Sequence, residues 1–284
     1  MNRTVASLAL LWCSLAPSAL WAAAAQLKIV HATLHDRKED GPRIPAGYEY
    51  RSGELLYVSF RIAGYAVQKD NVNLRYQIVA TDPEGLLLLE PLSGGVQAEV
   101  NFNDKEWLPK VAETLPLPPQ LAPGSYRLKL RATDEFGKTS AEETLEFRVG
   151  GRAKPGAENL VIRDVAFLSS ADDTTPMPQP EYFPGSSVFL TFELAGFKLG
   201  PKNAFDVQCG ITVLRPSGKV LYEEPQAAAD KGTPYYPKRY LNGAFSLNLS
   251  GDLTPGEYTL VLKAVDSVGG QTAESRHTFT VRKQ

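Results

Sequence analysis

The chain repeats itself. Residues 53–65 (GELLYVSFRIAGY) recur as 185–197 (GSSVFLTFELAGF), and residues 121–130 (LAPGSYRLKL) recur as 253–262 (LTPGEYTLVL). Both pairs are separated by the same 132 residues. Two distant segments that share one offset mark an internal duplication. A duplication constrains the architecture before any other signal, because what one copy folds into the other must repeat.

The N-terminus reads as an export signal. Arg3 supplies a positive start, an apolar stretch runs from Val5 to Leu20, and Ala23-Ala24-Ala25 offers small residues for cleavage. Residues 1–25 are therefore expected to be a signal peptide, with the mature chain beginning at Gln26. The apolar run is interrupted by Ser and Pro and falls short of the ~20 residues of a membrane span. Cys13 follows Trp12, where a lipid-anchoring signal wants a small residue. No membrane insertion is expected after the leader is removed, and the protein is expected to be periplasmic or extracellular.

Removing 25 of the 284 residues leaves 259, or about 130 per copy, which is a usual domain size. A domain of that size buries enough surface to fold without staples. Cysteine content agrees, since Cys209 is the only cysteine beyond residue 25 and no internal disulfide can form. The leader holds one of the 30 Lys and Arg and none of the 32 Asp and Glu, so the mature chain carries −3. A mildly acidic chain without a basic run argues against nucleic acid as a partner.

Alternation with period two dominates each copy. Leu56, Val58, Phe60 and Ile62 share one face against Tyr57, Ser59 and Arg61; Val188, Leu190, Phe192 and Leu194 repeat this against Phe189, Thr191 and Glu193. Tyr126, Leu128, Leu130 and Ala132 form a second such run, repeated by Tyr258, Leu260, Leu262 and Ala264. This pattern belongs to half-buried antiparallel strands. Pro-x-Gly turns at 83–85 and 216–218, and Asp-x-x-Gly turns at 134–137 and 266–269, separate the runs. The expected fold is all-β: two tandem immunoglobulin-like antiparallel β-sandwich domains at 26–150 and 158–284, joined by a linker at 151–157.

The Pro-Gly-x-Tyr-x-Leu-x-Leu-x-Ala-x-Asp pattern at 123–134 and 255–266 resembles the penultimate strand of immunoglobulin-like and fibronectin type III-like domains of bacterial exported proteins. The resemblance implies that Tyr126 and Tyr258 are tyrosine corners, whose hydroxyls return to nearby backbone. There is no cysteine pair and no tryptophan on the third strand, so the antibody type is not expected. The resemblance covers both copies and implies a fold, not an activity.

Residues able to do chemistry are few. His31 and His35 lie four apart, which on one strand face means ~13 Å, too far to share a metal ion. His277 falls opposite Leu145 in the alignment of the copies, and Cys209 shares its face with Val207, Ile211 and Val213. All four are expected to be structural or surface groups. No nucleophile elbow, phosphate loop or zinc motif is present. The acidic pairs Glu39-Asp40, Glu142-Glu143, Asp172-Asp173 and Glu223-Glu224 read as solvated. Asp134 with Glu135, or Asp172 with Asp173, offers a weak calcium signal without the spacing of a calcium loop. No cofactor and no catalytic residue are expected.

The stronger lead is aromatic. The turn-rich stretch 232–240 (GTPYYPKRY) holds Tyr235, Tyr236 and Tyr240; its counterpart holds Phe102 and Trp107, the only tryptophan beyond the leader. Aromatics on loops supply contact area for a protein or glycan, or cover the open end of a sandwich. The divergent polar loops 36–47 and 169–180 are further places for binding. The expected function is a non-enzymatic exported interaction or assembly module. The alternative is a carbohydrate-binding accessory protein using the tyrosine loop, and after it a hydrolase with a site not visible in sequence.

Overall fold

The computed structural model describes residues 26–38, 40–101, 104 and 106–283. Residues 1–25, expected to be a signal peptide, and Glu39 and Phe102 lie outside these. Each copy is a β-sandwich, and among the described residues no helix is longer than a 3-10 turn at Pro201–Asn203.

In the first copy, β1 (Lys28–His35), β3 (Leu55–Ala63) and β6 (Lys110–Pro116) form a three-stranded sheet ordered β1-β3-β6. It faces a five-stranded sheet built from β2 (Glu49–Tyr50), β4 (Asn71–Thr81), β5 (Leu92–Glu99), β7 (Gly124–Asp134) and β8 (Thr139–Val149), ordered β2-β8-β7-β4-β5. The second copy repeats this. Strands β9 (Val161–Leu168), β11 (Ser187–Ala195) and β14 (Tyr240–Asn248) are ordered β14-β11-β9. Opposite them lie β10 (Glu181–Tyr182), β12 (Phe205–Leu214), β13 (Val220–Gly232), β15 (Gly256–Asp266) and β16 (Gln271–Val281), ordered β10-β16-β15-β12-β13.

The alternating runs supply the two cores. Leu56, Val58, Phe60 and Ile62 of β3 are buried against Leu74, Ile78, Tyr126, Leu128 and Leu130. Val188, Leu190, Phe192 and Leu194 of β11 are buried against Val207, Cys209, Ile211, Val213, Tyr258, Leu260 and Leu262. One pairing in each copy departs from antiparallel: β2 runs parallel to β8, and β10 parallel to β16. In each copy the chain leaves the small sheet and adds two residues beside the last strand of the large one.

Both tyrosine corners are present. The Tyr126 hydroxyl donates to Ala122 O at 2.7 Å and the Tyr258 hydroxyl to Thr254 O at 2.8 Å. Their rings stack on Phe147 and Phe279. A second repeated device is an aspartate. Asp134 accepts from the backbone N–H of Ala66 and Phe136, and Asp266 from those of Lys198, Val268 and Gly269. The same bend carries Gly64 and Gly196, both at positive φ; a Cβ there would lie 2.3 and 2.0 Å from a backbone oxygen, so only glycine fits.

The expectation that His31 and His35 share one strand face is corrected. A bulge shifts the register between Val30 and Thr33, and His31 takes a left-handed conformation with φ 54°. An extra residue in one strand breaks the two-residue parity. The second copy repeats the bulge with Asp164 at φ 52°.

Candidate functional site

The aromatic residues singled out in sequence are not brought together. Trp107 stands at the Asp134 end of the first sandwich. Its ring meets the edge of Tyr65, whose hydroxyl donates to Trp107 O at 2.6 Å, and Ala66 is tied to Asp134. The tyrosine stretch meets the first sandwich at the other end, beside Thr81 and Arg127. Seven residues of β7 separate the two levels, ~23 Å at strand rise. Trp107 is 37% exposed and Tyr235 is 46% exposed.

Tyr236 is a correction to the exposed-loop expectation. It belongs to the second copy, yet its ring is 6% exposed and packs into the core of the first. Its hydroxyl donates to the buried carboxylate of Asp82 at 3.0 Å, and the other oxygen of Asp82 accepts from Leu86 N at 2.8 Å. Burial, with the Asp82 carboxylate beside it, pushes the Tyr236 phenol well above its usual range. Nearby, Arg239 N donates to Gln120 Oε1 of the first copy at 3.3 Å. The loop fastens the two sandwiches together.

The linker is fastened to the second sandwich. Lys154 reaches the buried carboxylate of Glu193 on β11 and lies 3.9 Å over the ring of Tyr240. Arg163 joins the same carboxylate at 2.6 Å and bonds Pro155 O at 2.8 Å. Glu193, an outward position by strand parity, is buried because linker and Arg163 cover it. A buried carboxylate needs such partners. Tyr240 is therefore half-buried under the linker and not an open platform.

A further candidate site, edged by the loop 36–47 that the sequence marks as a place for binding, sits at the start of β3 in the first copy. After β1 the chain turns back, Asp36 N bonding Pro42 O and Ile44 N bonding Leu34 O. The His35 ring holds this turn. Nδ1 lies 2.6 Å from Gly41 O and Nε2 lies 2.7 Å from Ser59 Oγ. A carbonyl only accepts, so Nδ1 carries a proton toward Gly41 O, and Nε2 shares the second hydrogen bond with the Ser59 hydroxyl. The loop then lays Ile44 and Tyr48 as a ridge between two cavities of about 530 and 330 Å3. The smaller is lined by Tyr48, Tyr50, Tyr57, Asp36, Arg37 and Glu54 among others.

The chemistry of the smaller cavity is uneven. Tyr48 donates to the Glu54 carboxylate, which also accepts from Arg51 N at 2.7 Å. That bond holds the Tyr48 phenol neutral and pushes it up to about 12. Tyr48 and Tyr50 meet edge to face at 5.0 Å. Tyr50 is 2% exposed and its hydroxyl has no partner. Burial raises its pKa. An unsatisfied buried hydroxyl costs about 1–3 kcal/mol. The signal for this site was available in the duplication. Offset by 132, Tyr50 matches Tyr182, but Tyr48 meets Pro180, Glu54 meets Ser186 and Tyr57 meets Phe189.

The other reactive side chains are committed to structure. Cys209 is buried and its thiol is pushed up to about 11 by burial. His277 is held below its ordinary pKa by burial. Asp134 spends its oxygens on backbone N–H groups, and Asp173 accepts from Ser169 Oγ at 2.6 Å and Thr175 N at 2.9 Å.

No protein-family model matches the chain, and no curated protein matches it. Among solved structures, red sea bream transglutaminase aligns over 91% of this chain at 10% identity with a TM-score of 0.25. The chain spans 31% of that enzyme's length. The C-terminal domain of the Streptococcus pyogenes antigen I/II-family protein AspA aligns over 92% of this chain and 100% of its own, at 9% identity with a TM-score of 0.29.

Proposed function

We propose that this protein is a non-enzymatic exported binding module of the bacterial immunoglobulin-like kind, acting at the cell envelope or outside the cell. The observation that carries this reading is the insertion of Tyr236 into the core of the neighbouring sandwich. Tandem sandwiches that merely sit on a string need no such contact. A buried aromatic with a bonded hydroxyl fixes their relative orientation, and a fixed pair presents one preformed surface to a partner at low entropic cost. The commitment of His35, Cys209 and the buried carboxylates to packing and backbone bonds supports binding over turnover. The leader-like residues 1–25 support export.

The test uses the mature chain, immobilised, against a solubilised envelope extract, alongside turnover assays on ester, amide and glycoside substrates. Saturable retention of one envelope component, weakened when Tyr236→Ala loosens the pair, is the expected result. Turnover that copurifies with the chain through several columns would overturn the reading.

A further inference from the structure

We propose that the cleft between the two sandwiches binds a doubly charged oxyanion, the phosphate or sulfate group of a small ligand; this rests on the reading of a fixed pair as a binding module and names a ligand class. The cleft holds a cavity of about 210 Å3 where the linker passes between the copies. Gln120 and Leu121 reach it from the first sandwich, Arg152 and Lys154 from the linker, and Arg163 and Arg239 from the second. Junctions between domains are frequent ligand sites. The volume is below that of a drug-sized site and suits a charged group with a few atoms beyond it.

The lining chooses the charge. Four of its side chains are cationic and none is a carboxylate, on a chain with more acids than bases. Two carboxylates lie behind the wall, both buried and already bonded. Glu193 is held by Lys154 and Arg163, and Asp82 by Leu86 N and by Tyr236 of the loop that carries Arg239. A third, Glu49, approaches Gly150 and is paired to Arg148 at 3.4 Å. Set against Glu193 and Asp82, the four cations leave two positive charges over. That surplus is open to solvent. Arg152 and Arg239 are exposed, and among the described residues neither guanidinium is paired to a carboxylate.

The neutral groups lean the same way. Gln120 turns its Oε1 to Arg239 N, which leaves its amide N–H groups for a ligand. The carbonyls around the cavity already accept: Leu121 O from Ser52, Ala122 O from Tyr126 and Pro155 O from Arg163. A donor-rich wall with two charges over takes an acceptor with two negative charges. A neutral hydroxyl compound leaves the cations unmatched, an ammonium is repelled, and a lone carboxylate matches half. The planar fork of arginine bonds phosphate and sulfate oxygens in pairs. A group that meets Gln120, Arg152 and Arg239 at once touches the first sandwich, the linker and the second sandwich, so it binds the docked pair and ties down the linker.

The experiment titrates residues 26–284 by calorimetry, at constant ionic strength, with glucose phosphate and glucose sulfate, against glucose and glucuronate as neutral and singly charged controls. Expected is saturable binding of the two esters, with glucose silent and glucuronate weaker by about tenfold. Arg152→Gln and Arg239→Gln should each lose about tenfold in ester affinity. Arg75→Gln removes the same charge at the far end of the first sandwich, where Arg75 pairs with Glu135 at 3.1 Å, and should bind as the parent does; thermal melts confirm that all three variants fold. Saturating ester should also slow trypsin cleavage after Arg152, which reads the place of binding independently of affinity. Unchanged affinity in both Arg152→Gln and Arg239→Gln would overturn the site. Glucose or glucuronate binding as tightly as the esters, or binding confined to a long polyanion such as heparin, would overturn the ligand class. If no ester binds but an envelope component is retained, the oxyanion inference falls and the binding-module reading stands; if neither is bound, both fall.

Discussion

Tyr50 and Tyr182 occupy one place in two copies of one fold, and their hydroxyls meet opposite fates. Each ring packs edge-on against a phenylalanine of the last strand, Phe147 or Phe279. Tyr182 then closes its corner by bonding Leu168 O. Tyr50 leaves its O–H unmet beside a cavity edged by Tyr48 and Glu54. The scaffold is the same in both, so the difference is not needed to make a sandwich. Duplication thus separates what the fold requires from what only one copy carries.

The copies also differ in dependence. The second lends Tyr236 to the first, where it enters the core and meets Asp82. The equivalent of Asp82 in the second copy is Arg215, next after Leu214 as Asp82 is next after Thr81. No reciprocal insertion is built on it. The largest expected effect follows. Truncating a buried aromatic costs about 3–5 kcal/mol with its cavity, so Tyr236→Ala should lower the stability of the first sandwich by about that much. Tyr236→Phe should cost about 1–3 kcal/mol, because Asp82 is left buried with one oxygen unpaired. Denaturant unfolding of residues 26–284 measures both, and residues 26–151 expressed alone should match the Tyr236→Ala first sandwich. If the second sandwich were the one weakened, the direction of dependence would be reversed.

A smaller effect sharpens the tyrosine comparison itself. Tyr182→Phe removes a made bond and leaves Leu168 O without its donor, so it should destabilise by about 1–3 kcal/mol. Tyr50→Phe removes a hydroxyl that has no partner, and should be neutral or stabilising. Parallel melts of the two variants decide it. Equal losses would mean that Tyr50 is satisfied and the two corners are alike.

The fold was legible because burial alternates residue by residue, and Leu56 to Ile62 or Tyr258 to Ala264 carry that alternation locally. Turn residues and the tyrosine corners were readable for the same reason, since each contact spans only a few positions. Tyr236 was not, because its partner Asp82 lies 154 residues away and a Tyr-Tyr loop looks the same whether it faces solvent or a neighbour's core. The cavity was legible in part, since the loop 36–47 that edges it was marked as a place for binding, while its tyrosines were not. Tyr48, Tyr50 and Tyr57 are ordinary by composition, and only the mismatch of Tyr48 with Pro180 and of Tyr57 with Phe189 marks the place. The bulge at His31 was hidden because nothing in Val30 to Thr33 departs from strand composition; the left-handed residue is identified only by geometry.

The smallest expected effect concerns His277, which stands where the first copy has Leu145, each opposite a leucine of the preceding strand. Its Nε2 is buried without a partner, as is the nearby Ser275 Oγ. Burial holds the imidazole below its ordinary 6.5. The folded state therefore keeps His277 neutral at pH values where the unfolded chain protonates it. Stability tied to this group is present above 6.5 and is lost as pH falls through the lowered folded value. Leu145 has no proton to bind, so the second sandwich should lose stability on mild acidification through this position while the first does not. His277→Leu should flatten that pH dependence in denaturant melts of the second sandwich, without raising its stability much at neutral pH. A slope that persists in the variant would move its origin elsewhere in the second sandwich, and the contrast at this position would no longer separate the copies.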